Sequence, residues 1–297
     1  MPEGPEIRRE ADAIDAALGG RALTRAEYRV AGLRRRGATL RGVTVVRAYS
    51  RGKAMLIEFA NGLTHYSHNQ LYGKWRVMAA SRDPERGRRV LRVVLANDDM
   101  QAVLYSATQI DLVPTAELAH HSFLSRLGPD ALDASTTPAM VAARLADRRR
   151  ARTTLGALLL DQGFIAGLGN YLRSDILFAA RLTHERRAGD LTARERTRLA
   201  KAIVEVAQRS YRTQGITNTA AHVRRLSAQG VKRGALRFRA YGRAGEPCWD
   251  CGTRIRRVEA NGRALFVCAQ CQPVIRGPSP ALRPPSPRVR EEGRGKG

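Results

Sequence analysis

Four cysteines confined to one short stretch constrain the fold more than any other feature. They form two pairs with two residues inside each pair and sixteen between the pairs: Cys248, Cys251, Cys268 and Cys271. Asn261-Gly262, between the pairs, is a hairpin turn signal. Two such pairs facing each other across a hairpin supply four thiolates in a tetrahedral array, the closed arrangement of a structural zinc site. We therefore predict one structural Zn²⁺ per chain, with two disulfides or four unrelated thiols as the alternative.

The charge balance indicates the partner. Lys and Arg total 52 against 27 Asp and Glu, which gives a formal net charge of +25. Such an excess opposes self-association and attracts polyanions, most plausibly nucleic acid. No segment reaches the ~18 uninterrupted apolar residues of a spanning helix, and no apolar signal-peptide run opens the chain. We expect a monomer without a membrane partner that binds nucleic acid in a reducing cytoplasm.

The apolar periodicity changes several times along the chain. A helical pattern over residues 5–18 ends at Gly19-Gly20, and short β-rich runs separated by turn residues then continue to about residue 113. Helical patterns follow Pro114, and a short β element surrounds the cysteines. From Pro273 the composition becomes rich in Pro, Gly, Ser and Arg, which predicts disorder. The pattern indicates an α+β protein that begins with a β-sandwich or barrel and a leading helix.

The opening Met1-Pro2-Glu3-Gly4-Pro5-Glu6 allows two interpretations. One is an ordinary helix start, because Pro suits the first turn and Glu is favoured by the helix dipole. The other begins with the amine that Pro2 would expose once Met1 is removed. An α-amine has a reference pKa of ~8 against ~10.4 for lysine, so part of it is a neutral nucleophile near neutral pH. Such an amine can form an iminium ion with a sugar aldehyde carbon.

Five motifs occur in a fixed order: the PEGPE opening, Arg51-Gly52-Lys53, the Asn69–Gly73 stretch, Gly167–Arg173 and the four-cysteine hairpin. Together they resemble the formamidopyrimidine-DNA glycosylase and endonuclease VIII family. Gly4 and the run from Ser67 to Gly73 resemble its endonuclease VIII branch. The resemblance covers roughly residues 1–272 and leaves the tail outside.

The resemblance implies an organisation of the whole chain. Residues 1–114 correspond to a β-sandwich catalytic domain with a leading helix, and residues 115–234 to a helix–two-turn–helix DNA-binding domain. Residues 235–272 correspond to a four-Cys zinc finger, and residues 273–297 remain as a disordered basic tail. The implied fold class is α+β, in agreement with the periodicity.

The resemblance also implies a mechanism. Pro2 is the expected nucleophile at C1′ of a damaged nucleoside, and Glu3 is the expected acid–base carboxylate. Glu6 is similar to a second carboxylate near the active site. Lys53 is similar to a lysine that assists glycosidic cleavage and binds phosphate; its local alternative is a solvated strand-end lysine. The iminium intermediate would lose both flanking phosphates by β- and δ-elimination without consuming a cofactor.

The expected DNA-binding residues form two groups. Gln70, Leu71 and Tyr72 resemble a wedge that fills the gap left by a turned-out nucleotide, with a core-facing strand end as the alternative. Three further residues are expected to bind phosphate near that nucleotide: Asn170, Arg173 and Arg263.

The lesion preference remains open at this point. Residues 213–234 should hold the loop that covers the turned-out base, but they do not match the family pattern. The expected partner is double-stranded DNA containing oxidised bases or abasic sites, and the Ser67–Gly73 run favours oxidised pyrimidines over oxidised purines.

A zinc-dependent DNA-binding protein without catalysis is the alternative from another class, and it leaves Pro2, Glu3 and Lys53 without a use. A ribosomal protein explains the charge but not the ordered motifs.

Overall fold

A computed structural model of the protein describes residues 2–85 and 87–273. The predicted disordered tail, residues 273–297, lies outside this part apart from its first residue. The chain begins with helix α1, Gly4–Leu18, close to the predicted span. Pro5 occupies its first turn, and the Glu6 carboxylate accepts a hydrogen bond from the Glu3 amide at 3.0 Å. Such reciprocal bonds satisfy amide groups that a helix start leaves unpaired.

Two four-stranded antiparallel sheets follow α1 and enclose its apolar face. Their strands are β1 Arg25–Tyr28, β2 Val45–Arg51, β3 Ala54–Phe59, β4 Leu63–His68, β5 Lys74–Ala79, β6 Leu91–Ala96, β7 Met100–Tyr105 and β8 Gln109–Pro114. One sheet has the order β1-β6-β7-β5 and the other β2-β3-β4-β8. A short helix, α2 Arg34–Ala38, packs beside β1. Ile7, Ile14 and Leu18 of α1 are buried in the core of this sandwich.

Strand β4 has a polar sequence although it lies inside the sandwich. Thr64, His65 and Ser67 are buried there. His65 Nδ1 lies 2.9 Å from the Tyr28 hydroxyl, and Ser67 Oγ accepts a hydrogen bond from the Trp75 indole at 3.2 Å. Because Tyr28 and Trp75 provide partners for polar atoms of His65 and Ser67, the strand can be buried without the apolar alternation that usually marks one.

The second half of the described chain is helical. Its helices are α3 Pro138–Leu145, α4 Leu155–Leu158, α5 Asn170–Ala179, α6 Ala193–Arg212 and α7 Ala220–Ala228, with four short 3₁₀ turns between residues 115 and 190. Helix α7 lies inside the segment that did not match the family pattern. Among the described residues, no helix combines the length and the apolar character that crossing a membrane requires.

A two-stranded hairpin, β9 Arg256–Ala260 and β10 Arg263–Val267, packs against α5. Its turn is Asn261-Gly262, and both residues have positive φ, 57° and 68°, as a tight two-residue hairpin requires. The predicted turn is therefore confirmed. The predicted α+β class is confirmed as well, with a sandwich, a helical part and a hairpin.

The sandwich and the helical part meet through backbone groups. The Gly4 amide donates to the Gly167 carbonyl at 2.8 Å, and the Gly52 amide donates to Asp130 Oδ2 at 2.6 Å. A Cβ atom on Gly4 would lie only 3.0 Å from the Gly167 Cα, so the glycine permits this close approach. The junction brings the start of α1, the β2–β3 turn and the start of α5 together.

Candidate active site

A cavity of about 850 Å³ opens where the start of α1, the turn before β3 and the start of α5 meet. It brings together eight residues that the sequence singled out: Pro2, Glu3, Glu6, Lys53, Leu71, Tyr72, Asn170 and Arg263. These residues come from the start of α1 and the residues before it, from the β2–β3 turn, from the loop before β5, from α5 and from the β9–β10 hairpin. Of the noncysteine candidates, only Gln70 and Arg173 are missing from its lining.

Glu3 is the buried carboxylate of this cavity and is only 3% exposed. Its Oε1 accepts a hydrogen bond from the Tyr171 amide at 2.8 Å, and its Oε2 accepts one from the Leu172 amide at 3.3 Å. Both amides belong to the first turn of α5, where a helix favours negative charge. Burial nevertheless raises the pKa of Glu3 to about 7, against the opposing effects of Lys53 and these amides. Near neutral pH, Glu3 can therefore both hold and release a proton.

Gly169 makes room for this carboxylate. A Cβ atom at position 169 would overlap the carboxyl group of Glu3. Glycine at position 169, directly before α5, is therefore required by the close approach of the helix start to the carboxylate.

Lys53 follows Gly52 in the turn between β2 and β3 and is 8% exposed. Burial lowers its pKa, Glu3 opposes that shift, and the positive charge of Arg263 adds to it. The sequence alternative of a solvated strand-end lysine is therefore wrong. Burial shifts Glu3 and Lys53 toward their neutral forms, which is the pattern of groups that exchange protons.

Glu6 connects α1 to the helical part. Its carboxylate accepts hydrogen bonds from the Glu3 amide and from the Tyr171 hydroxyl, the latter at 3.0 Å from Oε2. The Tyr171 hydroxyl also lies 2.9 Å from Ser210 Oγ. Glu6 therefore fixes the position of Glu3 while lining the same cavity.

The side chains of Leu71 and Tyr72 project from the loop before β5 and are 53% and 69% exposed. This exposure contradicts the alternative that they face the core. Arg89 Nη1 donates to the Tyr72 carbonyl at 2.9 Å and braces the loop. Gln70 lies apart from the described lining residues, because its Oε1 accepts a hydrogen bond from the Thr108 hydroxyl. Leu71 and Tyr72 are thus the available apolar projections of this loop.

Arg173 corrects one sequence expectation. Its side chain is fully buried, so the predicted phosphate contact is contradicted. Its guanidinium donates to Asn170 Oδ1 at 2.8 Å and to the carbonyls of Ala260 and Ala264 at 3.2 and 3.3 Å. Burial lowers the pKa of Arg173 to about 10, with Arg263 as the next cause. Arg173 therefore attaches the hairpin to α5.

Asn170 begins α5 and Arg263 begins β10, the two elements that Arg173 joins. The Asn170 side-chain amide donates to the Ala264 carbonyl at 2.8 Å, so its polar atoms already have protein partners. Arg263 is exposed at the start of β10 and lines the cavity. Of these two, Arg263 has the guanidinium available to a ligand.

The four cysteines lie together behind the hairpin as free thiols, so the alternative of two disulfides is wrong. Their Sγ atoms all lie within 4.8 Å of one another, with 3.4 Å between Cys251 and Cys268 and 3.9 Å between Cys248 and Cys271. A tetrahedral ion with metal–sulfur bonds of about 2.3 Å separates its ligands by about 3.8 Å. The four thiols therefore fit one tetrahedral metal ion.

Sequence reasoning missed part of the lining. The missed residues are Glu10, Lys74, Arg89, Tyr171, Arg237, Phe238 and Tyr241. Tyr171 lies inside a motif that was recognised, so its place beside Asn170 was a usable signal. Arg237, Phe238 and Tyr241 lie just beyond the unaligned segment, and they carry no spacing that marks a site.

Three family models match the chain in order. They are the formamidopyrimidine-DNA glycosylase N-terminal domain over residues 1–109, the H2TH domain of that glycosylase over residues 127–221, and a zinc finger found in FPG and IleRS over residues 245–274. The last match covers all four cysteines.

Curated relatives match almost the full length. Endonuclease 8 of Escherichia coli O17:K52:H18 is 43% identical over 273 residues, which cover 92% of this chain and all of the relative. Endonuclease 8 of Salmonella typhi gives the same identity and coverage.

Solved structures match the fold at lower identity. A Lactococcus lactis formamidopyrimidine-DNA glycosylase bound noncovalently to abasic-site DNA has a TM-score of 0.74 at 21% identity, covering 91% of this chain and 99% of the other. The same enzyme in complex with DNA containing an oxidised pyrimidine has a TM-score of 0.74 at 22% identity, covering 92% and 100%.

Proposed function

The chain belongs to the formamidopyrimidine-DNA glycosylase and endonuclease VIII family, in its endonuclease VIII branch, and we propose that it removes oxidised pyrimidines from DNA with its N-terminal proline. Members of this family are DNA glycosylases with AP lyase activity, so the chain is an enzyme of base excision repair. The proposal assigns the individual steps to residues of the cavity.

Base removal is the first step. With Met1 removed, the secondary amine of Pro2 attacks C1′ of the damaged nucleoside while protonated Glu3 donates its proton to the sugar ring oxygen. The glycosidic bond breaks, and the base leaves with its electron pair and takes up the proton that the Pro2 nitrogen loses. The C1′–O4′ bond then opens to a 4′ hydroxyl that carries the proton from Glu3, and an iminium ion joins Pro2 to C1′. Lys53 lies beside Glu3, where it can exchange a proton with it and hold the neighbouring phosphate.

Strand cleavage follows from the iminium ion. The positive nitrogen acidifies the C2′ proton, so a base in the cavity can remove it as the 3′ phosphate leaves in a β-elimination. A second elimination releases the 5′ phosphate, and hydrolysis frees Pro2. The product is a gap of one nucleoside flanked by two phosphates.

We assign the DNA contacts to residues that remain available in the cavity. Leu71 and Tyr72 fill the gap left by the turned-out nucleotide, because large exposed apolar side chains can replace the stacking that is lost. Arg263 binds a phosphate next to this nucleotide by charge-assisted hydrogen bonds. Asn170 supports that contact through its bond to the hairpin. Gln70 remains a proposed part of the wedge, which would require release of its bond to Thr108.

We assign one structural Zn²⁺ to Cys248, Cys251, Cys268 and Cys271, since four thiolates at these separations suit this ion and leave no open coordination position. The zinc keeps the hairpin folded and takes no part in the reaction. Apart from Gln70, the proposed catalytic and DNA-binding side chains line one cavity of one chain, so we propose a monomer acting on double-stranded DNA. The proposed place of action is the bacterial cytoplasm, where such DNA lies.

One observation carries the proposal against a DNA-binding protein without catalysis. Glu3 and Lys53 are both buried in the cavity that Pro2 lines, and burial raises the pKa of Glu3 and lowers the pKa of Lys53. Burying two ionisable groups opposes folding, and a protein that only binds DNA gains nothing from it. Oxidised purines are the second candidate substrates, because solved structures of the same fold hold DNA with formamidopyrimidine lesions.

The experiment uses end-labelled duplexes that carry thymine glycol, 8-oxoguanine opposite cytosine, or an abasic site. Each duplex is incubated with the purified protein with and without borohydride, which reduces an iminium ion to a stable adduct. We expect cutting and trapping on thymine glycol, with weaker activity on 8-oxoguanine. The reverse order would transfer the proposal to oxidised purines, and absence of adduct on every duplex would refute the catalytic assignment.

The pH dependence should separate base removal from strand cleavage. Base removal needs protonated Glu3 and neutral Pro2 together, so excision of thymine glycol should be greatest between about pH 7 and the Pro2 reference pKa of ~8 and should fall above it. Trapping on abasic-site DNA depends on the neutral Pro2 amine, so it should hold or increase over the same range, toward a reference pKa of ~8. Single-turnover rates on both duplexes from about pH 6 to 9 provide the measurement. Parallel profiles would show that Glu3 does not supply this proton, and the Glu3→Gln variant should lose excision at every pH.

A further inference from the structure

One wall of the cavity comes from the segment just after the unaligned loop. Arg237, Phe238 and Tyr241 line it. The Phe238 ring packs against the Tyr171 ring with a centroid distance of 5.2 Å. It also packs edge to face against the Tyr241 ring, with a centroid distance of 5.1 Å. The Arg237 guanidinium lies over the same phenyl ring at 4.9 Å. This wall therefore presents an aromatic surface together with a group of hydrogen-bond donors.

The wall is anchored from behind by a single carboxylate. Asp175, on the second turn of α5, is 1% exposed. It accepts hydrogen bonds from the amides of Arg239, Ala240 and Tyr241 at 2.9, 2.9 and 3.0 Å, and another from the Thr217 hydroxyl. One side chain therefore fixes two segments, the wall and the loop that precedes α7.

Helix α5 connects Asp175 to the catalytic carboxylate of Glu3. Its first-turn amides hold the Glu3 carboxylate, and Asp175 holds the wall less than two turns further on. Tyr171 contributes to both, because its amide binds Glu3 and its ring packs on Phe238. The distance between the wall and the proton donor is thus set within one rigid element.

We propose that Arg237 and Phe238 form the subsite for the turned-out base and that Asp175 is the positioning residue of this subsite. The inference rests on the proposed function. A nucleobase offers apolar faces and edge oxygens, and Phe238 and Arg237 complement these two features. A guanidinium donates hydrogen bonds and accepts none, so the ligand class is a base with an exocyclic carbonyl oxygen. A phosphate group is the other ligand that Arg237 could bind, and the experiment separates the two.

The test compares two duplexes of identical sequence, one with thymine glycol and one with an abasic site. Both carry the same phosphates, but only the first has a base for the subsite. Excision from thymine glycol should fall about 10- to 100-fold in Arg237→Ala and in Phe238→Ala, as expected when a pocket loses a specific substrate contact. The fold decrease in borohydride trapping on the abasic duplex should be at least about tenfold smaller than the fold decrease in thymine glycol excision. The exposed Arg194 on α6, which is not among the described lining residues, provides the matched control Arg194→Ala.

The role of Asp175 has its own pair of variants. Asp175→Asn loses an acceptor where four donors converge, and it can also lower folding yield. Thr217→Val removes the hydroxyl that donates to Asp175 and lies 2.9 Å from the Arg237 carbonyl, and Thr217→Ser retains it. We expect Thr217→Val to slow thymine glycol excision by about tenfold with a smaller effect on the abasic duplex, and Thr217→Ser to restore the rate.

The outcomes are separable. Equal losses on both duplexes would overturn the subsite and indicate a phosphate contact, and unchanged rates on thymine glycol would overturn it as well. Equal behaviour of Thr217→Val and Thr217→Ser would overturn the positioning role. If the unmodified enzyme formed no adduct with either duplex, the proposed function itself would fail.

Discussion

Protein that retains any residue in front of Pro2 should form no covalent adduct with abasic-site DNA and should neither excise thymine glycol nor cut the strand. An added residue converts the secondary amine of Pro2 into a tertiary amide nitrogen, which is not nucleophilic. Loss of a covalent nucleophile removes the iminium ion on which both elimination steps depend. We expect at least a ~10³-fold fall in both rates, measured by single-turnover assays and borohydride trapping.

The matched control separates chemistry from folding. A chain with one alanine between Met1 and Pro2 keeps Glu3, Lys53 and Arg263, so it should bind abasic-site DNA about as tightly as the processed enzyme. Mass spectrometry establishes which form is present. Normal trapping by the extended form would place the nucleophile at another amine. The candidates would then be the α-amine of the added residue and Lys53, which is buried in the same cavity with a lowered pKa.

The residues that the sequence could identify are those whose role is local. Pro2 depends on being exposed by removal of one residue, and the cysteines depend on their spacing and a hairpin turn. The structure adds a reason for Gly169, because the Glu3 carboxylate occupies the space of its missing side chain. Lys53 could be interpreted only through the family motif, since its burial comes from strands that lie far apart in the sequence.

The residues that escaped prediction depend on tertiary contacts. Arg173 lies one turn after Asn170, and this spacing is equally consistent with a phosphate contact and with burial. Its burial is decided by the hairpin carbonyls about 90 residues later. Asp175 and the Tyr241 amide meet only because the chain returns to α5 after α7. The place of strand β4 in the sandwich could not be predicted, because its buried positions are polar and form hydrogen bonds with residues on other strands.

Loss of the metal should disable the enzyme through the hairpin. The hairpin carries Arg263, and its carbonyls at Ala260 and Ala264 accept hydrogen bonds from the buried guanidinium of Arg173. Without a metal, four thiols in close contact provide no bond that holds the hairpin, because binding of a structural zinc is itself a source of folding free energy. The Arg263 contact with phosphate would then be lost, and Arg173 would be left with fewer acceptors in a buried place.

We therefore expect the Cys268→Ser variant, which changes a fully buried ligand, to lose the bound metal. It should also cut abasic-site DNA at least about 100-fold more slowly, because each charge-assisted hydrogen bond that is lost costs about 1.5 to 3 kcal/mol. Metal analysis should find one zinc per chain in the unmodified protein. Arg263→Ala is the matched control, because it removes the phosphate contact and leaves the metal site intact. If zinc only supports Arg263, the two variants should be equally slow. Because Arg173 and Asn170 also bond to the hairpin next to Glu3, Cys268→Ser should be slower than Arg263→Ala, and a metal-free protein with full activity would contradict the structural role.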